Sequence, residues 1–299
     1  MSNRSDQIDR GEWRGVREAT MAPSRSSKVP RAEANTIMAN DTAERHGTGH
    51  SPGHGHGGEA PALDVSEHGA ARDGQPQVLD RRLFMQLLVF DTPPQSSSKQ
   101  LIAAIGEKFV EHKVGSVIYE AVSDPRAIGV LTFSEDPAVF VTAVRPVLAD
   151  PAFGLTLQPS FSMLGRTYST GFEQDLAFWL LERPAQTAVD ESCNWAVWYP
   201  LRRSGAFARL EPKEQGAILR EHGTIGRTYG SANLAHDIRL ACHGLDANDN
   251  EFVIGLIGSE LYPLSHVVQS MRKTRQTAEF ISQMGPFFVG RVAFRHRPR

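Results

Sequence analysis

Cysteine is nearly absent: Cys193 and Cys242 are the only two in 299 residues. A disulfide-built fold is therefore excluded, their spacing rules out a CxxC metal or redox motif, and a reducing cytoplasm is the expected setting. No apolar run approaches the roughly 20 residues that a membrane span needs. The first residues, "MSNRSDQIDRGEWRG", lack the apolar centre of a secretion signal, so a cytoplasmic location with no membrane partner is expected. An excess of one charge is missing too. With 32 basic and 34 acidic side chains the net charge is −2, which offers no general attraction for nucleic acid or anionic lipid.

What is present divides the chain in three. Residues 1–78 are rich in Gly, Ser, Ala, Pro and charge without a sustained apolar period, which predicts a disordered tail. Within it "RHGTGHSPGHGHGGE" sets His46, His50, His54 and His56 among glycines, as a weak divalent-metal cluster or a plain solvated stretch. From residue 79 to 192 the pattern reads strand (82–90), Ser-capped helix (96–113), two strands (115–122, 128–133), helix (135–148) and strand (153–164). A linker with a short helix (167–192) follows. Residues 193–299 repeat the order: strand (194–201), a helix over 211–223 with Pro212 near its start and Gly223 near its end, strands (236–244, 252–258), a long helix (259–281) and a closing strand (285–294). Two βαββαβ units predict an α+β fold of two ferredoxin-like halves joined into a dimeric α+β barrel.

Three stretches carry chemistry. In "REHGTIGRTYG" a helix stacks His222 with Ile218, Ile225 and Tyr229, placing a titratable ring on the apolar stripe. The alternatives are a core histidine bonded to a carbonyl or water, or a metal ligand. Alternation in "NWAVWYPLRR" puts Trp195, Val197, Tyr199 and Leu201 on one face, with Arg203 at the same parity about 13 Å from Tyr199 at ~3.3 Å per residue. That is either an aromatic core strand with an Arg at its mouth or the wall of a large flat ligand. In "LAHDIRLACHG", Ile238, Leu240 and Cys242 form a core face, while Asp237, Arg239 and His243 share the other, facing solvent or a cavity.

The ordered set "WAVWYPLRR", "REHGTIGRTYG", "CHGLD", "FVIGLIG", "SMRKTRQTAEF" and "GPFFVGRV", over 193–295, resembles the chlorite dismutase superfamily, above all its coproheme decarboxylase branch. The resemblance implies that His222 is the iron ligand of a haem or iron porphyrin, and that Tyr199 is a redox-active phenol. It implies that peroxide drives oxidation of Tyr199, whose phenoxyl takes hydrogen from a propionate, so that loss of carbon dioxide leaves a vinyl group. Two rounds would convert iron coproporphyrin III to haem b, the porphyrin being both substrate and redox centre. The strand residue Leu201 would line the porphyrin. Arg203, Arg227 and Thr277 would face propionates, the alternative for either Arg being a solvated surface charge. The distal position falls on Asp237, or on Arg239 if the register slips, and an Asp there would repel the anions that a chlorite dismutase handles. Where relatives carry an acidic residue to orient the ligand imidazole, this chain reads "RKTRQT", with Arg275 on the face of Leu264, Val268, Met271 and Ala278. The resemblance also implies a homopentamer. Rival expectations are a chlorite dismutase or haem peroxidase, and a haem-binding barrel without turnover.

Overall fold

The structure, a computed structural model, describes residues 63–298. The histidine cluster of the tail lies outside them. The tail does not extend to residue 78, however: β1 (Glu67–Arg72) and β2 (Gln75–Leu79) form a hairpin. Its turn is Asp73-Gly74, both at positive φ (52° and 76°), the backbone that matches the twist of paired strands. The described residues form one compact unit, so the two halves share a body rather than making separate domains.

The first half contains β3 (Phe84–Asp91), α1 (Ser98–Glu111), β4 (Gly115–Ala121) and β5 (Ala127–Ser134). It ends with α2 (Arg145–Leu148), the two-residue β6 (Thr156–Leu157) and β7 (Met163–Arg166). After the connecting α3 (Arg183–Val189), the second half contains β8 (Trp195–Arg203), the short α4 (Gly205–Ala208), α5 (Pro212–Ser231) and β9 (His236–Ala241). β10 (Phe252–Gly258), α6 (Leu261–Met271), β11 (Ile281–Met284) and β12 (Phe288–His296) complete it. All pairings are antiparallel, in the order β10-β9-β7-β3-β5-β4-β12-β8, and β8 pairs back onto β10. The sheet is thus a closed barrel. Each half shows the ferredoxin-like order, β7-β3-β5-β4 and β12-β8-β10-β9, and the halves join through β4 with β12 and β7 with β9.

Both faces of the sheet are covered, which is why the strands are apolar on both parities. Met85, Leu87, Tyr119, Leu131, Trp198, Ile238 and Leu240 fill the barrel, together with the free, buried Cys193 and Cys242. The ring of Trp198 needs Gly255 across the ladder, where a Cβ would lie 2.5 Å from it. Outside, Leu101, Ile102, Ile105 and Phe109 of α1 pack on Ile118, Ile128 and Val130.

Five expected elements differ. The helix expected over 135–148 is a π-turn, Phe140–Val144, running into α2, and the linker helix likewise has a π-turn, Phe178–Glu182, ahead of α3. In both, a proline follows two residues later (Pro146, Pro184). A proline cannot complete the i→i−4 ladder, and the wider turn absorbs it. The strand expected over 153–164 is broken by Gly154 (φ 58°) and by 3₁₀ turns at Pro151–Phe153 and Pro159–Phe161. Gly223 does not end its helix, because α5 continues to Ser231. The long last helix stops at Met271: the Thr274 hydroxyl donates to the Met271 carbonyl (2.8 Å), competing with the backbone, and a π-turn, Gln276–Phe280, follows.

Candidate functional site on the outer face of the second half

Strand register builds the floor of the site. Tyr199 of β8 pairs with Ile254 of β10, which pairs with Arg239 of β9, so the three form one cross-strand row. Val197, Leu256 and Asp237 form the next row, and Leu201 pairs with Phe252 on the other side. These residues share the outer face because side chains alternate along a strand and directly paired residues point the same way. Phe287 stacks on Tyr199 with ring centroids 4.6 Å apart and planes at 26°. Tyr199 is 6% exposed, and burial raises its pKa well above the ordinary phenol value, so it holds its proton.

The roof is α5 and α6. His222, Ile225 and Tyr229 of α5 turn toward the sheet, and the Tyr229 hydroxyl reaches His266 and Ser270 of α6 (3.2 Å to Ser270). His222 is half-buried. Burial first, then the Arg239 charge, holds its pKa below the usual imidazole range, which favours the neutral ring that a metal requires. Its Nδ1 lies 3.3 Å from the hydroxyl of Thr274, a residue 2% exposed in the turn after α6. That turn is tied to α5 as well: Glu221 accepts from the Arg275 N–H (3.1 Å), and Arg275 bridges Glu214 (2.8 Å) and Glu279 (2.9 Å). Because the helix has already ended, Arg275 points to these carboxylates and not to the apolar face expected for it.

Asp237 and Arg239 are both on the site face, and they are bonded to each other. Asp237 Oδ2 is 2.9 Å from Arg239 Nε, while Oδ1 accepts from Arg183 of α3 (3.0 Å). Arg183 also donates to the Asp237 carbonyl (2.9 Å). The two guanidiniums hold this carboxyl below the usual carboxylate range even though burial opposes it. The repulsion expected from a bare aspartate is therefore cancelled, and Arg239, solvent-accessible, is a cation on the same cross-strand row as Tyr199, with Ile254 between them. Tyr168 lines a polar cavity with Glu173, Arg183 and Arg239.

Of the other expected residues, Arg203 stands at the strand end, between the rings of Phe207 and Phe252 (4.6 Å to each) and paired with Glu251 (3.2 Å). Thr277 is linked to His222 only through Thr274, 3.3 Å between hydroxyls. Arg227 is not part of the site: five residues past His222, it lies about 140° round the helix. It bonds Thr224 (3.0 Å) and lines an exposed groove with Thr228 and Ser231. Sequence reasoning missed Thr274, Arg183 and Tyr168. A hydroxyl inside the quoted "RKTRQT" was the one available hint; Arg183 sat in a stretch read as linker.

Among the described residues no three His, Cys, Asp or Glu side chains converge to hold a metal. One half-buried imidazole over an apolar floor bearing a phenol and a guanidinium can present a nitrogen lone pair to a metal whose remaining ligands come from elsewhere, with a hydrogen-atom donor and a cation opposite.

The chlorite dismutase family model matches residues 98–293, and the chain belongs to that family. No curated protein sequence matches. Among solved structures, the chain is similar to a heme-binding protein from Thermus thermophilus: 17% identity, TM-score 0.56, 71% of this chain and 91% of that one. It is also similar to a mutant chlorite dismutase from Candidatus Nitrospira defluvii, at 14% identity and TM-score 0.55, over 70% and 91% of the chains. The same enzyme in complex with imidazole matches at 14% identity and TM-score 0.52, over 71% and 92%. At these identities the likeness concerns the fold.

Proposed function

We propose that the chain binds an iron porphyrin through His222 and carries out peroxide-dependent oxidative decarboxylation of iron coproporphyrin III, converting two propionates to vinyl groups and giving haem b. The observation that carries this reading is the row of Tyr199, Ile254 and Arg239 lying under a neutral imidazole whose Nδ1 alone is engaged. The residues fit a porphyrin: the lining (Ile225, Ile254, Met271, Met284, Phe287, Val289) is apolar yet only partly buried, as a wall for a flat apolar face should be.

When bound, the iron porphyrin supplies peroxide-driven oxidising power and, as coproporphyrin, the propionates that react. His222 would hold the metal through Nε2. Tyr199, kept protonated by burial, gives up an electron and a proton together, and the resulting phenoxyl takes a hydrogen atom from the propionate. Arg203, already paired with Glu251, and Arg239, already paired with Asp237, are cations on this floor that would orient the carboxylates. The family resemblance makes a homopentamer part of the proposal, and the near-absence of cysteine makes a cytoplasmic setting part of it.

The test is to add peroxide to protein loaded with ferric coproporphyrin III and to follow the porphyrin by mass spectrometry. Haem b should appear with the native chain and should fall at least a hundredfold in rate with Tyr199→Phe; undiminished decarboxylation by that variant overturns the mechanism. Arg239 favours a second reading, a chlorite dismutase, since that chemistry needs a cation close to the metal. It predicts oxygen from chlorite, lost in Arg239→Ala, with coproporphyrin left intact. Tight haem binding with neither product would leave a haem-binding barrel.

A further inference from the structure

The bond from His222 to Thr274 has a direction that can be worked out. A hydroxyl has one proton to give, and Thr274 gives it to the Met271 carbonyl at 2.8 Å, the shortest of its contacts. The Thr277 N–H also points at the Thr274 oxygen, at 3.4 Å. What Thr274 has left for the ring is a lone pair, so the 3.3 Å contact is Nδ1–H donating to Oγ1. The proton therefore sits on Nδ1, and Nε2 carries the free lone pair.

The acceptor is also neutral. A carboxylate at this place would pull on the Nδ1 proton and push electron density through the ring to a metal on Nε2. The carboxylates nearby are turned elsewhere: Glu221 accepts from the Arg275 N–H, and Asp237 is held by Arg183 and Arg239.

We propose that Thr274 is the positioning residue of this site: it locks His222 as the Nδ1–H tautomer, aims Nε2 at a porphyrin-held metal and, as a neutral acceptor, makes the imidazole a weak electron donor that favours the reduced metal. This rests on the reading of His222 as metal ligand. The restraint comes from a buried turn whose place is fixed by the end of α6 and by the Arg275 ion pairs, so the ring is held from outside its own helix.

Two measurements test it. In the full chain without porphyrin, nitrogen-15 NMR of the histidine rings should show His222 as the Nδ1–H tautomer; the opposite tautomer overturns the proposal whatever the variants do. In the full chain loaded with haem b, Thr274→Asp should move the ferric–ferrous equilibrium at least tenfold toward ferric, about 59 mV for one electron. It should also raise the iron–histidine stretching frequency in resonance Raman spectra. Thr274→Val should lose the single tautomer, and Thr274→Ser should restore the native potential and frequency. Native values in both the Asp and Val variants overturn the proposal. His222→Ala separates the two layers: if it binds haem with an unchanged spectrum, the ligand reading has failed, whereas a collapsed His222→Ala spectrum beside native-like Thr274 variants removes this inference alone.

Discussion

The two halves share a topology but not a finish. In the main outer cluster of the first, 13 apolar residues are buried and 8 partly so; in that of the second, 7 are buried and 12 partly. The first crossover helices show the contrast most directly. Leu101, Ile102, Ile105, Gly106 and Phe109 of the 14-residue α1 are buried, while in the 20-residue α5 Ile218 alone is. Composition agrees, since α5 carries Gly216, Gly223, Gly226 and Gly230, each costing a helix about 1 kcal/mol relative to Ala. A helix that is weak by propensity and half-packed by contact is held by few bonds, among them Tyr229 to His266 and Glu221 to the Arg275 backbone. The same fold thus serves as scaffold on one side and leaves an apolar surface open on the other, which is the side that carries His222, Tyr199 and Arg239.

The contrast is broken or upheld most strongly by truncation. Phe109→Ala removes a ring with no exposure from under α1 and should cost about 3–5 kcal/mol in urea unfolding. Ile225→Ala, on the half-open face of α5, should cost about 1 kcal/mol, because its side chain is only partly buried. Equal losses would mean that the two faces are packed alike. Glycine replacement makes the same comparison on a smaller scale and with opposite signs. A Cβ at Gly106 would lie 2.5 Å from the Phe294 ring, so Gly106→Ala should destabilise by about 1–3 kcal/mol. At Gly216 the nearest atom is the far end of Arg220 at 3.4 Å, and Gly216→Ala should stabilise by up to about 1 kcal/mol.

The barrel was legible because each half repeats one order of periodic segments, and the parity of "NWAVWYPLRR" and "LAHDIRLACHG" did set which residues face outward. The elements misread were those in which a single residue overrides a period: Pro146 and Pro184 against helices, Gly154 and Pro159 against a strand, Thr274 against α6. The hairpin at 67–79 had its signal in "RDGQ", masked by the composition around it. The site divides the same way. Tyr199, Leu201 and His222 belong to periodic elements that resemblance could anchor. Thr274 and Arg183, by contrast, reach His222 and Asp237 from 52 and 54 residues away, through contacts that exist only once the chain is folded. Arg227 shows the converse, since a motif match five residues from the ligand cannot say which side of a helix it faces.

The finest difference between the halves is in pH. His222 is held below the usual imidazole range by burial and by Arg239, so between its folded pKa and about 6.5 the unfolded chain binds the extra proton and the folded one does not. Stability that is fully present above that value is therefore lost as pH falls through the window. The loss should be a fraction of the ~1.4 kcal/mol that one pKa unit represents, because the ring is only half-buried. Urea midpoints taken at about pH 7.5 and 5.5 for the native chain and for His222→Gln isolate it: the native chain should lose more between the two. If the two lose the same amount, this imidazole is not the group that feels the closure of α5 on the sheet.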